Sequence, residues 1–187
     1  LLGEGAISVL KFSFNLQSVP LAIIGVSYSV AAFPTLAKLF SNGDKKAFAE
    51  QIMVAAKHII FWSLPVLVLF IVLRAQIVRS ILGTGAFGWN ETRLTAAALA
   101  LFAISIVAQS LVFLFVRGYY ASNYTQKPVV INSIAAVITI GMALFFLKVF
   151  AANSMFRFFV EDLFRVPDVA HTSVLMLPLA FSIGSII

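Results

Sequence analysis

The residues best placed to do chemistry lie near the start of the sequence. Lys11, Asn15 and Ser18 recur at i, i+4 and i+7, the spacing that stacks side chains along one helical face, just before Pro20. An ionisable group beside other polar side chains in an apolar stretch is expensive, so such a face is expected to meet a water-filled cavity or a partner. Ala22, Gly25 and Ser29 extend that face as a stripe of small residues, which lets another helix approach closely. A plainer account of the same residues is that Lys11 reaches back to the membrane interface along its apolar stem and the small residues only pack.

Other polar residues inside apolar stretches form weaker sets. Lys57 and His58 sit beside each other at the edge of an uncharged run, where an interfacial anchor is the simpler role. Gln109 with Ser105, and Asn132 with Ser133, are read as interhelical hydrogen-bonding pairs, each worth about 0.6 kcal/mol in a membrane. The two histidines, His58 and His171, belong to separate helices, so no metal cluster is expected. No serine occupies a nucleophile elbow, and no Asp or Glu falls inside a long apolar run, which argues against a membrane hydrolase or transferase. Gly83-Thr84-Gly85-Ala86-Phe87-Gly88 spells G-x-G-x-x-G, but that motif binds nucleotides only between a buried strand and a helix. Here it reads as a glycine-rich turn, with Asn90 capping the following helix.

The elements that must carry these residues follow from composition. Of 187 residues, 61% are hydrophobic and 11% charged, and the mean hydropathy is +1.05. A water-soluble domain has about 25% charged residues, so a soluble globule is excluded. Nineteen phenylalanines exclude disorder. Crossing the hydrocarbon takes about 20 apolar residues in a helix. Five uncharged intervals approach or exceed that: 12–37, 58–73, 94–116, 128–147 and 172–187. They are continuous, without the alternation of barrel strands, so the fold class is an all-α polytopic membrane helix bundle of about five transmembrane helices.

Helix one is expected over about 6–40, with a kink at Pro20, and the Ser41–Lys46 stretch ends it by turn chemistry. Helix two follows over 47–81, with Pro65 inside. Helix three runs to about Arg117, and Gly118-Tyr119-Tyr120 gives it aromatic anchors. Helix four starts at Lys127-Pro128 and ends near Phe150. Residues 154–166 mix phenylalanines with Arg157, Glu161, Asp162 and Arg165, the pattern of a short interfacial helix, and helix five begins near His171.

The chain opens without Met and stops inside an apolar run, so it reads as a piece of a longer protein, a single membrane segment over 1–187. Without a charged stretch before a cleavage site, the opening is expected to be a loop entering a helix rather than a signal peptide. There is no cysteine, which removes thiol chemistry and disulfides from this stretch. The net charge of +6 comes from cations scattered along the chain, so nucleic acid is not an expected partner. Lys and Arg divide six against six between the two sides, which leaves orientation nearly undecided. Fewer acids beside Lys38, Lys45, Lys46, Lys57, Arg117 and Lys127 favour that side slightly as cytoplasmic.

Several strings resemble the lipid II flippase family (MurJ, also called MviN) of the MOP exporter superfamily. Val19-Pro20-Leu21, Gly25-Val26 and Phe33-Pro34-Thr35-Leu36-Ala37-Lys38 are similar to the family's Pro, Gly-Val and Pro-x-Leu-x-Lys helix exit. Gly85-Ala86-Phe87, Arg117-Gly118-Tyr119-Tyr120-Ala121 and Thr125-Gln126-Lys127-Pro128-Val129 follow in the family's order and spacing. The resemblance implies two six-helix lobes plus two further helices, fourteen in all, with this chain covering helices eight to twelve. It places the loops at 41–46 and 117–127 in the cytoplasm and the protein in the bacterial inner membrane. The implied function is alternating-access transfer of an undecaprenyl-diphosphate-linked glycolipid, the peptidoglycan precursor, by a monomeric transporter among membrane lipids. It implies no cofactor and no enzymatic step.

One position departs from the family pattern. Where an arginine usually stands before the helix-eight proline, this sequence reads Ser13-Phe14-Asn15. Lys11, one turn earlier on the same face, can take over as a point charge without the guanidinium fork. Lys11, Asn15 and Ser18 are therefore the expected substrate-binding residues. Two rival functions fit the same chain: another exporter of the superfamily, for polysaccharide-linked lipids or amphipathic cations, and a scaffold that transports nothing.

Overall fold

The computed structural model describes residues 5–83, 88–167, 169 and 171–186, and among them every regular element is helical. The chain folds as α1 (Ala6–Pro20), a π turn (Leu21–Val26), α2 (Ser27–Ser41), α3 (Lys45–Val72), α4 (Arg74–Leu82) and α5 (Trp89–Ala121). It continues through α6 (Gln126–Ala152), α7 (Ser154–Leu163), a 3-10 turn (Thr172–Leu175) and α8 (Met176–Gly184). Four stretches have the length and hydropathy of membrane spans: Ala6–Ser41, Lys45–Val72, Trp89–Ala121 and Gln126–Ala152. The fifth apolar helix, Thr172–Gly184, is shorter among the described residues.

Helix α5 is the central post. Its buried side carries Leu94, Ala97, Ala98, Leu101, Ile106 and Leu114, and α1, α2, α3, α4 and α8 all pack on it. The alanine run 96–98 and Ala100 give this helix a narrow waist, which suits close packing where apolar lipid supplies no hydrophobic drive between helices. α6 touches α5 little and is held mainly by α8. Between α3, α5 and α6 this leaves an apolar cleft of about 870 Å3, lined by Ile52, Leu111, Phe115, Tyr119 and Asn132 among others.

Where a kink is expected at Pro20, the first span changes to π geometry over Leu21–Val26. Proline lacks an amide hydrogen, and the chain answers with a π turn in which the Ser27 amide bonds Ala22 O, five residues back. The exits of α2 and α5 are Schellman turns. After α2, Gly43 takes φ 76°, its amide bonds Phe40 O at 3.0 Å and the Asp44 amide bonds Leu39 O at 3.1 Å. After α5, Asn123 does the same with φ 64°. Asp44 then caps α3, its side chain accepting from the Ala47 amide at 2.9 Å.

Two expectations need correction. The second helix does not run through to residue 81: it stops at Val72, Leu73 turns, and α4 sets off separately. An unbroken helix over 47–81 would be about 52 Å long, well beyond the membrane core, and Arg74, Gln76 and Arg79 are polar enough to leave it. Val78 of α4 is buried with Ala96 and Leu99 of α5. The cap of α5 is Gly88, with extended backbone, and Asn90 lies inside the first turn. Residues 84–87, the middle of the glycine-rich turn, lie outside the described residues.

Candidate functional site

The face of α1 that packs on α5 consists of Ala6, Val9, Ser13, Gln17 and Pro20. That leaves Lys11 and Asn15 exposed and Ser18 half-buried, so the structure brings the three expected residues onto one accessible face. The Ser18 hydroxyl donates to Asn15 O at 2.7 Å, which ties its only hydrogen to the helix and leaves its lone pairs facing out. The Asn15 side chain and the Lys11 ammonium have no hydrogen-bonding partner among the described residues.

The small-residue stripe does not continue that face throughout. Ala22 is exposed, but Gly25 and Ser29 are buried on the α5 and α3 side. A π turn carries more residues per turn than an α-helix, so counting by three and four across it loses the register. Gly25 lies flat against Ser110 of α5.

Sequence reasoning missed Gln17, which is 1% exposed and holds α1 in register. Its Nε2 donates to Ser105 Oγ at 2.9 Å, Gln109 Nε2 donates to the same oxygen at 2.6 Å, and Ser105 donates to Phe102 O at 2.7 Å. Gln109 and Ser105 thus pair within one helix, and the interhelical bond comes from Gln17. Its signal was an amide four residues after Ser13 inside an apolar run. Gln17 Oε1 is buried without a partner among the described residues. Asn132 and Ser133 make no interhelical pair either: Ser133 donates to Val129 O of its own helix, and Asn132 lines the apolar cleft.

Aromatic packing fixes the same helix from a second direction. Phe14 meets Phe102 of α5 and Phe181 of α8 edge-on, with ring centroids 5.7 and 5.8 Å apart, and Phe102 meets Phe181 at 5.5 Å. Ser182 of α8 donates to Leu101 O at 2.5 Å. Lys11 and Asn15 are therefore presented by a helix anchored on its opposite side. On α3, Lys57 is exposed and His58 stacks on Tyr28 with centroids 6.2 Å apart, an arrangement suited to anchoring. Among the described residues no group of three His, Cys, Asp or Glu could hold a metal ion.

Four apolar spans, with α5 as the central post and a first span that is interrupted by a π turn and presents Lys11 and Asn15 on one exposed face, define a polytopic helical membrane bundle. Comparison with known proteins agrees. The family model for lipid II flippase MurJ matches residues 1–156. A probable lipid II flippase MurJ of Rhizobium tropici is 28% identical over 152 residues, 81% of this chain and 28% of that protein. One from Rickettsia prowazekii (strain Madrid E) is 32% identical over 142 residues, 75% of this chain and 28% of that protein. A solved structure of lipid II flippase MurJ in an inward closed conformation superposes with a TM-score of 0.75, covering 99% of this chain and 34% of that one at 23% identity, which establishes the fold. The chain belongs to the lipid II flippase MurJ family. It spans 28% of the length of the first of these relatives.

Proposed function

We propose that the chain forms part of a flippase that moves a lipid-linked peptidoglycan precursor across the bacterial inner membrane by alternating access, with Lys11 attracting its diphosphate, the Asn15 amide donating to it, and the Ser18 hydroxyl turning from Asn15 O to donate a second hydrogen bond. In this reading the first span, α3, α5, α6 and the 3-10 turn with α8 are helices eight to twelve of a fourteen-helix transporter. The loops at 41–46 and 117–127 face the cytoplasm. The transporter works as a monomer, and its cycle makes and breaks no covalent bond.

One observation carries the reading: in a chain of this family, Lys11 and Asn15 stay exposed on the face of α1 turned away from its packing partner. A cation carried on an apolar span is expensive unless it meets an anion or water, and that cost supports a pathway beside this accessible lysine. The charge logic also opposes an exporter of amphipathic cations, which needs carboxylates on its spans where this chain has a lysine. The test is transport of a polyprenyl-diphosphate glycolipid by the full-length protein in vesicles, with wild type beside Lys11→Ala and Lys11→Arg. Loss in the first and retention in the second are expected. Unchanged transport in Lys11→Ala would remove Lys11 from the site.

A further inference from the structure

Three arginines from three separate elements converge at the membrane end where α1 and α5 begin and α3 and α6 finish. Arg74 is the first residue of α4, Arg93 is in the second turn of α5, and Arg165 follows α7. The Arg74 guanidinium sits over the Phe164 ring, 5.6 Å from its centroid. Arg93 Nη2 donates to the backbone carbonyl of Arg165. Arg74 and Arg93 thus both reach the dipeptide Phe164-Arg165. The pKa of Arg74 is pushed down, first by burial and then by the charge of Arg165, so the side chains are near enough to repel. Among the described residues the one ion pair is Arg157 with Glu161, and no carboxylate neutralises any of the three.

Backbone conformation makes Arg165 more unusual. α7 ends in a Schellman turn like those after α2 and α5: the Arg165 amide bonds Asp162 O at 3.0 Å and the Val166 amide bonds Glu161 O at 2.8 Å. The residue at the turn takes φ 57°, a left-handed value that suits Gly or Asn, and the two matching positions are indeed Gly43 and Asn123. Here the chain places an arginine. Arg74 is also poorly placed for its own helix, since a cation in a first turn opposes the dipole. The dipole of α7 favours a cation at its end, but that does not explain why two more guanidinium groups meet it there.

We propose that Arg74, Arg93 and Arg165 form a binding site for a phosphate or diphosphate group at this membrane surface, distinct from the α1 face. Planar guanidinium groups match phosphate oxygens in pairs, and three of them suit a multiply charged anion better than a carboxylate. Valines 160, 166 and 174 join Ala6, Leu94 and Ala97 in one buried cluster beneath the site, so the arginines stand on a packed floor. The site rests on these three residues whichever molecule the α1 face carries. Its phosphate comes from a lipid headgroup of that leaflet or from a free anion.

The test uses the full-length protein in phosphatidylcholine nanodiscs, in a Lys11→Ala background that removes the α1 cation. Inorganic pyrophosphate is titrated calorimetrically, and retention of phosphatidic acid against phosphatidylcholine is read by native mass spectrometry. Binding of pyrophosphate assigns a free anion, and selective retention of phosphatidic acid alone assigns a headgroup. The double variant Arg74→Gln/Arg93→Gln and the single variant Arg165→Gly should each weaken the observed binding about tenfold or more. Arg165→Gly guards against misfolding, because glycine suits that backbone and should leave thermal stability unchanged or raised. Binding of neither probe, or wild-type binding in either variant, would overturn the proposal.

Discussion

Gly25 lies so close to Ser110 that a Cβ built on it would stand 2.9 Å from both Ser110 Cα and Oγ. One of those atoms is backbone, so relief requires the π turn and α5 to move apart. Gly25→Ala should therefore destabilise the fold by about 1–3 kcal/mol, the range for overpacking. Gly141 of α6 has nothing within 4 Å of its Cβ position, and Gly141→Ala should be neutral or stabilise by about 0.5–1 kcal/mol through helix propensity. Reversible unfolding in mixed micelles, followed by circular dichroism, compares the two. Equal stability of the variants would contradict the close contact.

The Gln17, Ser105 and Gln109 cluster is asymmetric, because one hydroxyl serves two amides. Ser105→Ala strips the acceptor from both and should cost about 1–3 kcal/mol, the penalty for leaving buried donors unmet. Gln17→Met removes a donor together with its unpartnered Oε1 and should fall within about 1 kcal/mol of wild type. The same unfolding measurement ranks them, with Ser105→Ala expected as the weaker protein.

The spans were legible in the sequence because each is an uncharged run, a property of composition that survives any detail of packing. The face carrying Lys11, Asn15 and Ser18 was legible too, since all three precede Pro20 and share one uninterrupted helix. Beyond Pro20 the same counting failed, because nothing in the residue types announces that the chain will relieve the proline with a π turn. The break at Leu73 was hidden for another reason: the uncharged run ends there, but Ile77, Val78 and Ile81 keep a helical spacing beyond it, and Val78 is buried against α5 without spanning anything. Gln17 differs from Asn15 only by facing α5, a fact of packing.

Glu161 is 4% exposed and holds α7 to the following 3-10 turn, accepting from Thr172 Oγ1 at 2.6 Å and from Arg157 Nε at 3.0 Å. The Thr172 bond is buried, whereas Arg157 is mostly solvent-exposed and its pairing should count for about 0.5 kcal/mol or less. Thr172→Val should cost more, about 1–2 kcal/mol, by removing a buried hydrogen bond to a charged acceptor. Backbone hydrogen exchange over residues 154–176 should rise in Thr172→Val and barely change in Arg157→Ala. The reverse order would show that the exposed pair, not the buried one, secures α7.

Lys11 separates an anion site from an interfacial anchor, because only in the first does its charge touch the substrate. An anchor steadies the helix end at the interface, so in that role Lys11→Gln and Lys11→Met would transport normally and register their cost in stability. A diphosphate contact needs the positive charge, so both should lower transport about tenfold or more, the loss of one charge-assisted contact. Lys11→Arg should keep transport, since a guanidinium restores both charge and donors. Lys11→Glu should abolish it by repelling the substrate. Because the residue presents its charge from a helix pinned behind by Gln17 and flanked by Phe14, these variants should leave the fold intact, and unfolding midpoints matching wild type would assign any loss to the missing charge. Initial rates of glycolipid transfer in reconstituted vesicles, measured across the series, decide between the roles: a graded dependence on charge supports the site, and indifference to it identifies an anchor.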